Sequence, residues 1–134
     1  MAQVKKIQTL KVKLKPEPGS WSTVFSAFKG AGVNVVASWA YEMGPGDAEG
    51  IVYPSDLNKA KAALTKLGLS ATPMTAVYAE DTDKVGIYAD LLAKIAAAGV
   101  NLAATDAFGV GGRFATVFFA DEKDVPALCK ALGC

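Results

Sequence analysis

The chain contains 134 residues, of which 51% are hydrophobic and 20% are charged, and its formal net charge is +1. This composition excludes a disordered chain, and no apolar stretch is long enough to span a membrane. The near-neutral charge gives no reason to expect a nucleic acid or an anionic membrane as partner. Histidine is absent and Arg113 is the one arginine. Histidine-based triads, histidine-ligated metal sites and multi-arginine phosphate clamps are therefore excluded.

Both chain ends bear on location. Residues 1–15 alternate lysines with apolar residues and lack the uninterrupted apolar core of a signal peptide. Cys129 and Cys134 lie close together near one end, which does not make a disulfide framework, and Cys129 is expected to be an inert core thiol. We therefore predict a cytoplasmic protein, and we expect neither a cofactor nor a metal.

The first predicted elements are a strand and a helix. Residues 10–15 alternate apolar residues with lysines, which is typical of a strand with one solvated face. The turn Pro18-Gly19 follows, and then an apolar stripe with i, i+3, i+4, i+7 spacing predicts an amphipathic helix. The stripe consists of Trp21, Val24, Phe25 and Phe28.

Two more strands and a second helix are predicted next. The tetrapeptide at 31–34 reads Ala-Gly-Val-Asn and leads into a strand over 35–41, which a glycine-rich turn joins to a short strand over 51–53. Asp56 is placed to cap the second helix, and Gly68 is placed to end it. A fourth strand is expected between Leu69 and Glu80.

The second half of the chain repeats the first. The segment Ala-Gly-Val-Asn recurs with its glycine at 99 instead of 32, an offset of 67 residues, which is half of 134. Gly86 matches Gly19, a second apolar stripe follows it, and Asp121 matches Asp56 as a helix cap after a shorter turn. Each copy is therefore predicted to be β-α-β-β-α. The second stripe consists of Tyr88, Leu91, Leu92 and Ile95.

This pattern predicts an α+β fold of two ferredoxin-like βαββαβ repeats, each with helices on one face of an antiparallel sheet. We assign residues 1–73 to the first repeat and 74–134 to the second, which lacks its own last strand. The long N-terminal strand beginning near Val4 or a partner subunit would supply that strand. The missing strand and the high hydrophobicity also predict a homodimer.

With these motifs the chain, from about Ile7 to Cys134, resembles a stand-alone tandem ACT-domain protein. Pro18-Gly19 matches the family's turn between strand one and helix one, whereas the second copy reads Val85-Gly86 and has lost the proline. The Gly-Val-Asn junction is present twice. The resemblance implies a non-catalytic regulatory module. It would bind an amino acid or a similar small carboxylate at an interface between domains or subunits.

The resemblance and the chemistry of helix termini together select the candidate ligand-binding residues. Backbone amides at the two glycine turns suit a carboxylate, because a helix N-terminus presents free N–H groups and a positive dipole end. The junction asparagines would bind polar atoms of the ligand, and a carboxylate on the second strand of copy two would bind its ammonium group. The set is Pro18, Gly19, Ser20, Asn34, Val85, Gly86, Ile87, Asn101 and Asp106.

Each of these residues also has a structural interpretation. The glycines would simply turn the chain from strand to helix, the asparagines would adopt a left-handed or turn conformation after a helix, and Asp106 would be a sheet-edge or surface carboxylate. Core packing is the preferred interpretation of the aromatic residues on the second strands, and a solvated turn that of the arginine. Those residues are Trp39, Tyr41, Phe108 and Arg113.

Three other functions compete with ligand-dependent regulation. A ligand-free dimerisation scaffold is favoured by the loss of proline at position 85 and by the few polar groups around the second turn. An enzyme is disfavoured, because the aspartates have no visible base partner. RNA binding through the sheet would need exposed aromatic residues beside the lysines of strand one, and Tyr78 is their one aromatic counterpart in the second copy.

Overall fold

A computed structural model describes residues 2–134. The described chain contains six strands, four α-helices and one short 3-10 helix at Glu122–Asp124. The strands are β1 (Gln3–Leu14), β2 (Val35–Gly44), β3 (Asp47–Pro54), β4 (Ala71–Thr82), β5 (Leu102–Val110) and β6 (Arg113–Ala120). The helices are α1 (Ser20–Ala31), α2 (Leu57–Lys66), α3 (Ile87–Ala97) and α4 (Val125–Leu132).

The chain folds into two compact units. The N-terminal unit is Gln8–Met74, and the C-terminal unit combines the segment up to Ile7 with Thr75–Cys134. Strands β1 and β4 are each divided between the two units, β1 after Ile7 and β4 after Met74. Both units have the α+β architecture of a ferredoxin-like repeat, as predicted.

In the N-terminal unit the strand order is β2-β3-β1-β4, and the pairs of β3 with β1 and with β2 are antiparallel. Alternate residues of β1, beginning with the fully buried Leu10 and Val12, pack with α1 and α2 in one core. Both helices therefore cover the same face of the sheet. On the other face Thr9 is buried, and its hydroxyl donates to the Met74 carbonyl oxygen at 2.8 Å.

Two lysines of β1, Lys11 and Lys13, form ion pairs on that second face. Lys13 forms an ion pair and hydrogen bond with Asp47, which raises the pKa of Lys13, and Lys11 Nζ lies 3.6 Å from a carboxylate oxygen of Glu49. These two cations are already balanced by carboxylates of β3. The pairing removes much of the free positive charge that the RNA-binding alternative requires.

In the C-terminal unit the order is β1-β4-β6-β5, and β6 pairs antiparallel with β4 and with β5. The first residues of β1 occupy the place of the strand that the second repeat lacks. Val4 packs against the core beneath α3 and α4, and Lys5 Nζ lies 5.5 Å from the centre of the Tyr78 ring. Of the two sources left open by the sequence, the structure uses the N-terminal strand.

Glycines end the first helix of each repeat. Gly32 and Gly99 have φ of 71° and 70°, and the next residue of each donates its N–H back into the last helical turn. No residue other than glycine has a positive φ in the described chain. Asn34 and Asn101 therefore do not adopt the left-handed conformation expected for them.

The final helix departs from the repeat. Asp56 caps α2 as predicted, because its side chain accepts a hydrogen bond from the Lys59 N–H at 3.1 Å. Asp121 makes no such side-chain bond, and a 3-10 helix separates it from α4. The expectation that Asp121 caps this helix is wrong. The reason is Pro126, which lacks an N–H group and belongs in a first helical turn, so that α4 starts at Val125.

The two cysteines form a disulfide. The expectation of a free, inert thiol at Cys129 is therefore wrong. Gly133 ends α4 with φ of 100°, and the Cys134 N–H then donates to the Cys129 carbonyl oxygen at 2.8 Å. This reversal brings the two Cα atoms to 4.8 Å, within the range that a disulfide bridges.

Candidate functional site

The turn between β1 and α1 starts the helix without a side-chain cap. Gly19 occupies the N-cap position with φ of 85°, and its carbonyl oxygen accepts the Thr23 N–H at 2.9 Å. The amides of Trp21 and Ser22 precede the first intrahelical donor, so the helix itself offers them no acceptor. Together with the helix dipole they form a site suited to a carboxylate.

Ser20 shapes this turn with its own side chain. Its hydroxyl lies 2.6 Å from the Lys15 carbonyl oxygen and 3.0 Å from that of Glu17, and its N–H makes a long bond of 3.4 Å to Glu17. The hydroxyl therefore stabilises the loop that precedes the helix. A ligand that binds the Ser20 hydroxyl would have to replace its hydrogen bonds to the carbonyl oxygens of Lys15 and Glu17.

A pocket opens in front of the turn, towards the β2–β3 hairpin. Its lining includes the predicted Pro18, Gly19 and Ser20 together with Glu42 and Ala48, and its volume is about 390 Å³. The sequence did not associate the two hairpin residues with the turn. Their approach depends on how the hairpin pairs, and no local pattern encodes it.

Trp21 forms part of the wall of this pocket. Its ring lies directly against the backbone of Gly50 in β3, where a Cβ atom would come closer than 3.0 Å to the ring, and it packs edge-on against Phe25 at 4.9 Å. The sequence assigned Trp21 to the core stripe. The sequence feature that could have revealed this contact is Gly50, because a glycine inside a strand often marks a place where another group approaches the backbone closely.

The second turn has the same backbone geometry as the first. Gly86 has φ of 87°, and its carbonyl oxygen accepts the Asp90 N–H at 2.9 Å. The loss of proline at Val85, whose side chain is fully exposed, has therefore not changed the turn. Ile87 is 6% exposed and packs in the core, so its side chain is not available to a ligand.

The structure does not bring the junction asparagines to the glycine turns. Asn34 lies at the other end of α1, whose 12 residues span about 18 Å. Its backbone N–H donates to the Ser55 hydroxyl at 3.2 Å, and its side chain is exposed. Asn101 holds the same place after α3. Within one unit, a single small ligand cannot contact both the turn and the asparagine.

Asp106 also lies apart from the second turn. It sits in β5 opposite Val117, whereas its neighbours Thr105 and Ala107 pair with core-facing residues of β6. Its side chain is thus on the sheet face away from the helices, and partial burial raises the pKa of its carboxyl group. No cation pairs with Asp106 in the described part of the chain.

Two interpretations of aromatic and charged residues need correction. Phe108 is 56% exposed and Tyr41 39% exposed, so neither packs in the core as expected. Both lie on strands at the edge of their sheet. Arg113 is not merely a turn residue, because it begins β6 and approaches Glu80 at 3.9 Å.

Two absences concern metals and membranes. Among residues 2–134, no group of three or more acidic or cysteine side chains is arranged to hold a metal ion. Within the same residues, no helix combines the length and apolar character needed to span a bilayer.

Neither a protein-family model nor a curated protein matches this chain, but solved structures do. A protein from Bacteroides thetaiotaomicron matches with a TM-score of 0.85 and 19% identity, over 96% of this chain and 88% of its own. The ligand-free regulatory subunit of aspartate kinase from Thermus thermophilus matches with a TM-score of 0.68 and 15% identity, over 97% and 95%. Aspartate kinase from Clostridium acetobutylicum matches over 98% of this chain and 33% of its own, with a TM-score of 0.65 and 14% identity.

At these identities the similarity concerns the fold. The match to the Clostridium enzyme covers one third of that enzyme, whereas the match to the Thermus regulatory subunit covers nearly all of it. The chain therefore has the fold of an aspartate kinase regulatory subunit, built from two ferredoxin-like repeats.

Proposed function

We propose that this chain forms a regulatory module of the tandem ACT type, which binds an amino acid or a similar small carboxylate and has no catalytic activity of its own. The observation that carries the proposal is the pair of glycine-capped helix starts. Gly19 and Gly86 have φ of 85° and 87°, and each accepts the same hydrogen bond from the fourth helical residue, although the proline that precedes Gly19 is replaced by Val85 before Gly86. Retention of this geometry in both repeats favours a role for the turn.

The chemistry of the first turn fits a carboxylate. Free amides at the start of α1 attract an anion, and each such interaction contributes about 0.3–1 kcal/mol when exposed. The Lys15 side chain lines the pocket in front of these amides and adds a positive charge. Glycine at position 19 also leaves the approach open, because no atom lies within 4 Å of where its Cβ would be.

The proposed site includes Asn34, Asn101 and Asp106 only if it lies at an interface between domains or subunits. They are too far from the turn of their own unit, so they would contact a ligand held by the turn of another domain or subunit. Such a site requires an assembly, and we propose a homodimer. Apolar side chains exposed on the edge strands β2 and β5 support it, because an uncovered edge favours association. They are Tyr41, Met43, Phe108 and Val110.

Regulation would follow from differential affinity. A ligand shifts an equilibrium between two conformations or partners only as far as it binds one state better than the other. We propose the cytoplasm as the location of this module. The disulfide is the feature that argues against a reducing compartment.

A thermal-shift screen of the intact chain against the twenty amino acids tests the proposal. A ligand at about 100 times its dissociation constant should raise the free energy of unfolding by roughly 2.7 kcal/mol. The variants Gly19→Ala and Gly86→Ala should reduce the shift for whichever turn binds, because φ near 85° is strained for alanine. Gly44→Ala is the control, since Gly44 has neither a positive φ nor a crowded Cβ position.

The ligand-free scaffold remains the second candidate, because the exposed edge residues alone would explain self-association. No stabilisation by any amino acid, combined with a dimer in light scattering, would favour the scaffold. A monomer at high concentration would contradict both the homodimer and the intersubunit site.

A further inference from the structure

A second groove lies behind the first turn, between the turn and the end of α2. Three leucines form its apolar floor: Leu14, Leu67 and Leu69. Lys15 and Glu17 lie on its rim. We call this the leucine groove. Its free volume is about 100 Å³, and an apolar cavity of about 150 Å³ is known to accept benzene, so a branched side chain of three or four carbons fits.

The rim of the leucine groove carries one charge of each sign. Lys15 and Glu17 are exposed, and neither forms an ion pair with another residue in the range that the structure describes. An amino acid carries a carboxylate and an ammonium group on one carbon, which matches an unpaired lysine and an unpaired glutamate two positions apart. Few polar groups around an apolar floor are the usual composition of a small-molecule site.

The C-terminal unit has an equivalent groove with different chemistry. The repeat places Asp81 where the first copy has Leu14, and Asp90 where it has Thr23, and both aspartates line this second groove. Lys84 and Lys94 line it as well, beside an apolar part formed by Ile87, Leu91 and Leu132. An aliphatic side chain would have to displace water from these charged groups without replacing its hydrogen bonds, which costs free energy. The two grooves therefore differ in charge, and the leucine groove has no aspartate in its lining.

We propose that the leucine groove binds an L-amino acid with a small aliphatic side chain. The side chain lies on Leu14, Leu67 and Leu69, the carboxylate pairs with Lys15, and the ammonium group pairs with Glu17. This inference rests on the proposed function, and it names the ligand class and the repeat that binds it. Lys15 and Glu17 also line the pocket in front of the turn, so the ligand lies beside the amides of α1.

The test uses calorimetric titration of the intact chain with L-valine and L-leucine, and with L-lysine and L-aspartate as polar competitors. Leu67→Lys places a cation on the apolar floor, and Thr23→Asp copies the second groove into the first. Each should weaken binding of the aliphatic ligand by roughly tenfold or more. Asp90→Thr is the matched control in the second groove and should leave that affinity unchanged. Leu67 and Thr23 are exposed, so both variants should fold.

A readout without variants accompanies the titration. The methyl resonances of the three floor leucines in the unmodified protein should shift when L-valine or L-leucine is added. If only a polar or charged amino acid binds, or if an aliphatic one binds without responding to either groove variant and without shifting these methyls, the inference is wrong while the proposed function stands. If no amino acid binds, both are wrong.

Discussion

At the scale of single residues, the contact between Trp21 and Gly50 shows how one missing side chain shapes the candidate site. The Trp21 ring occupies the space that a Cβ at position 50 would take, and the same ring lines the pocket in front of the first turn. The pocket wall therefore depends on a residue that does not itself line the pocket. The resulting prediction concerns the stability of the fold around this ring.

Gly50→Ala should lower the free energy of unfolding by about 1–3 kcal/mol, because the new methyl group must push Trp21 out of its position. Urea denaturation followed by tryptophan fluorescence measures both the stability and the change around the ring. Gly44→Ala on the neighbouring strand is the control and should have little effect. Equal stability of the two variants would show that Trp21 moves aside at no cost.

A second prediction at this scale concerns Asp106. Partial burial raises the pKa of this carboxyl group, so the folded state binds its proton more tightly than the unfolded state does. Its ionisation opposes folding above the folded-state pKa, and that effect disappears as the pH falls below about 3.9, the pKa in an unfolded chain. Asp106→Asn should therefore raise Tm at pH 7, on the order of 2 °C for a partly exposed site.

Melting curves of the wild type and Asp106→Asn between pH 3 and pH 7 check this sign. The difference in Tm should be positive at pH 7 and should shrink towards zero at pH 3. A variant that is less stable than the wild type at pH 7 would indicate that the carboxylate has a favourable partner, such as a neighbouring subunit.

At the scale of elements, the two repeats differ most at the end of their second helix. In the N-terminal unit the chain leaves α2 through Gly68 and continues into β4. In the C-terminal unit it leaves α4 through Gly133 and is held to the helix by the disulfide. The disulfide thus fastens the residues after α4 to the helix itself.

Reduction of this disulfide should lower the free energy of unfolding by about 2 kcal/mol, the loop-closure value for a short loop. Thermal unfolding with and without a reductant, monitored by circular dichroism at 222 nm, provides the measurement. Cys134→Ser cannot form the bond, so its Tm should match that of the reduced wild type whether or not the reductant is present. A wild type that is insensitive to the reductant would contradict the prediction, provided that thiol titration confirms that the bond was reduced.

At the scale of the whole molecule, each unit is completed by a strand that the chain shares between them. The segment up to Ile7 belongs with Thr75–Cys134, although nearly seventy residues separate the two in sequence. The start of the chain therefore supplies the strand beside β4 in the sheet of the second repeat. The assignment of residues 1–73 and 74–134 to the two repeats stays a prediction, and residues up to Ile7 group with the C-terminal unit in the folded chain.

Deletion of residues 1–7 should destabilise the C-terminal unit selectively. Removal of this strand uncovers the edge of β4 and the core that Val4 covers. Hydrogen exchange read by mass spectrometry should show reduced protection over β4, β5 and β6, with protection in α1 and α2 retained. Lys6→Ala, at an exposed position of the same strand, is the control. Uniform loss of protection in both units would show that they unfold together.

The sequence by itself determined the order and type of the elements and the two glycine turns. These features depend on local periodicity and backbone conformation, and the repeat presents each of them twice. It also led to the exclusion of histidine chemistry. The departures, at Pro126 and Cys129, occur where the second copy differs from the first.

Only the tertiary structure decided which residues meet. The strand from the start of the chain, Gly50 beneath Trp21, the leucine groove and the separation of Asn34 from its turn all depend on contacts between distant segments. Neither periodicity nor composition encodes such contacts, because they follow from strand order and packing. The candidate site could be predicted as a backbone motif, and its walls and its ligand preference required the fold.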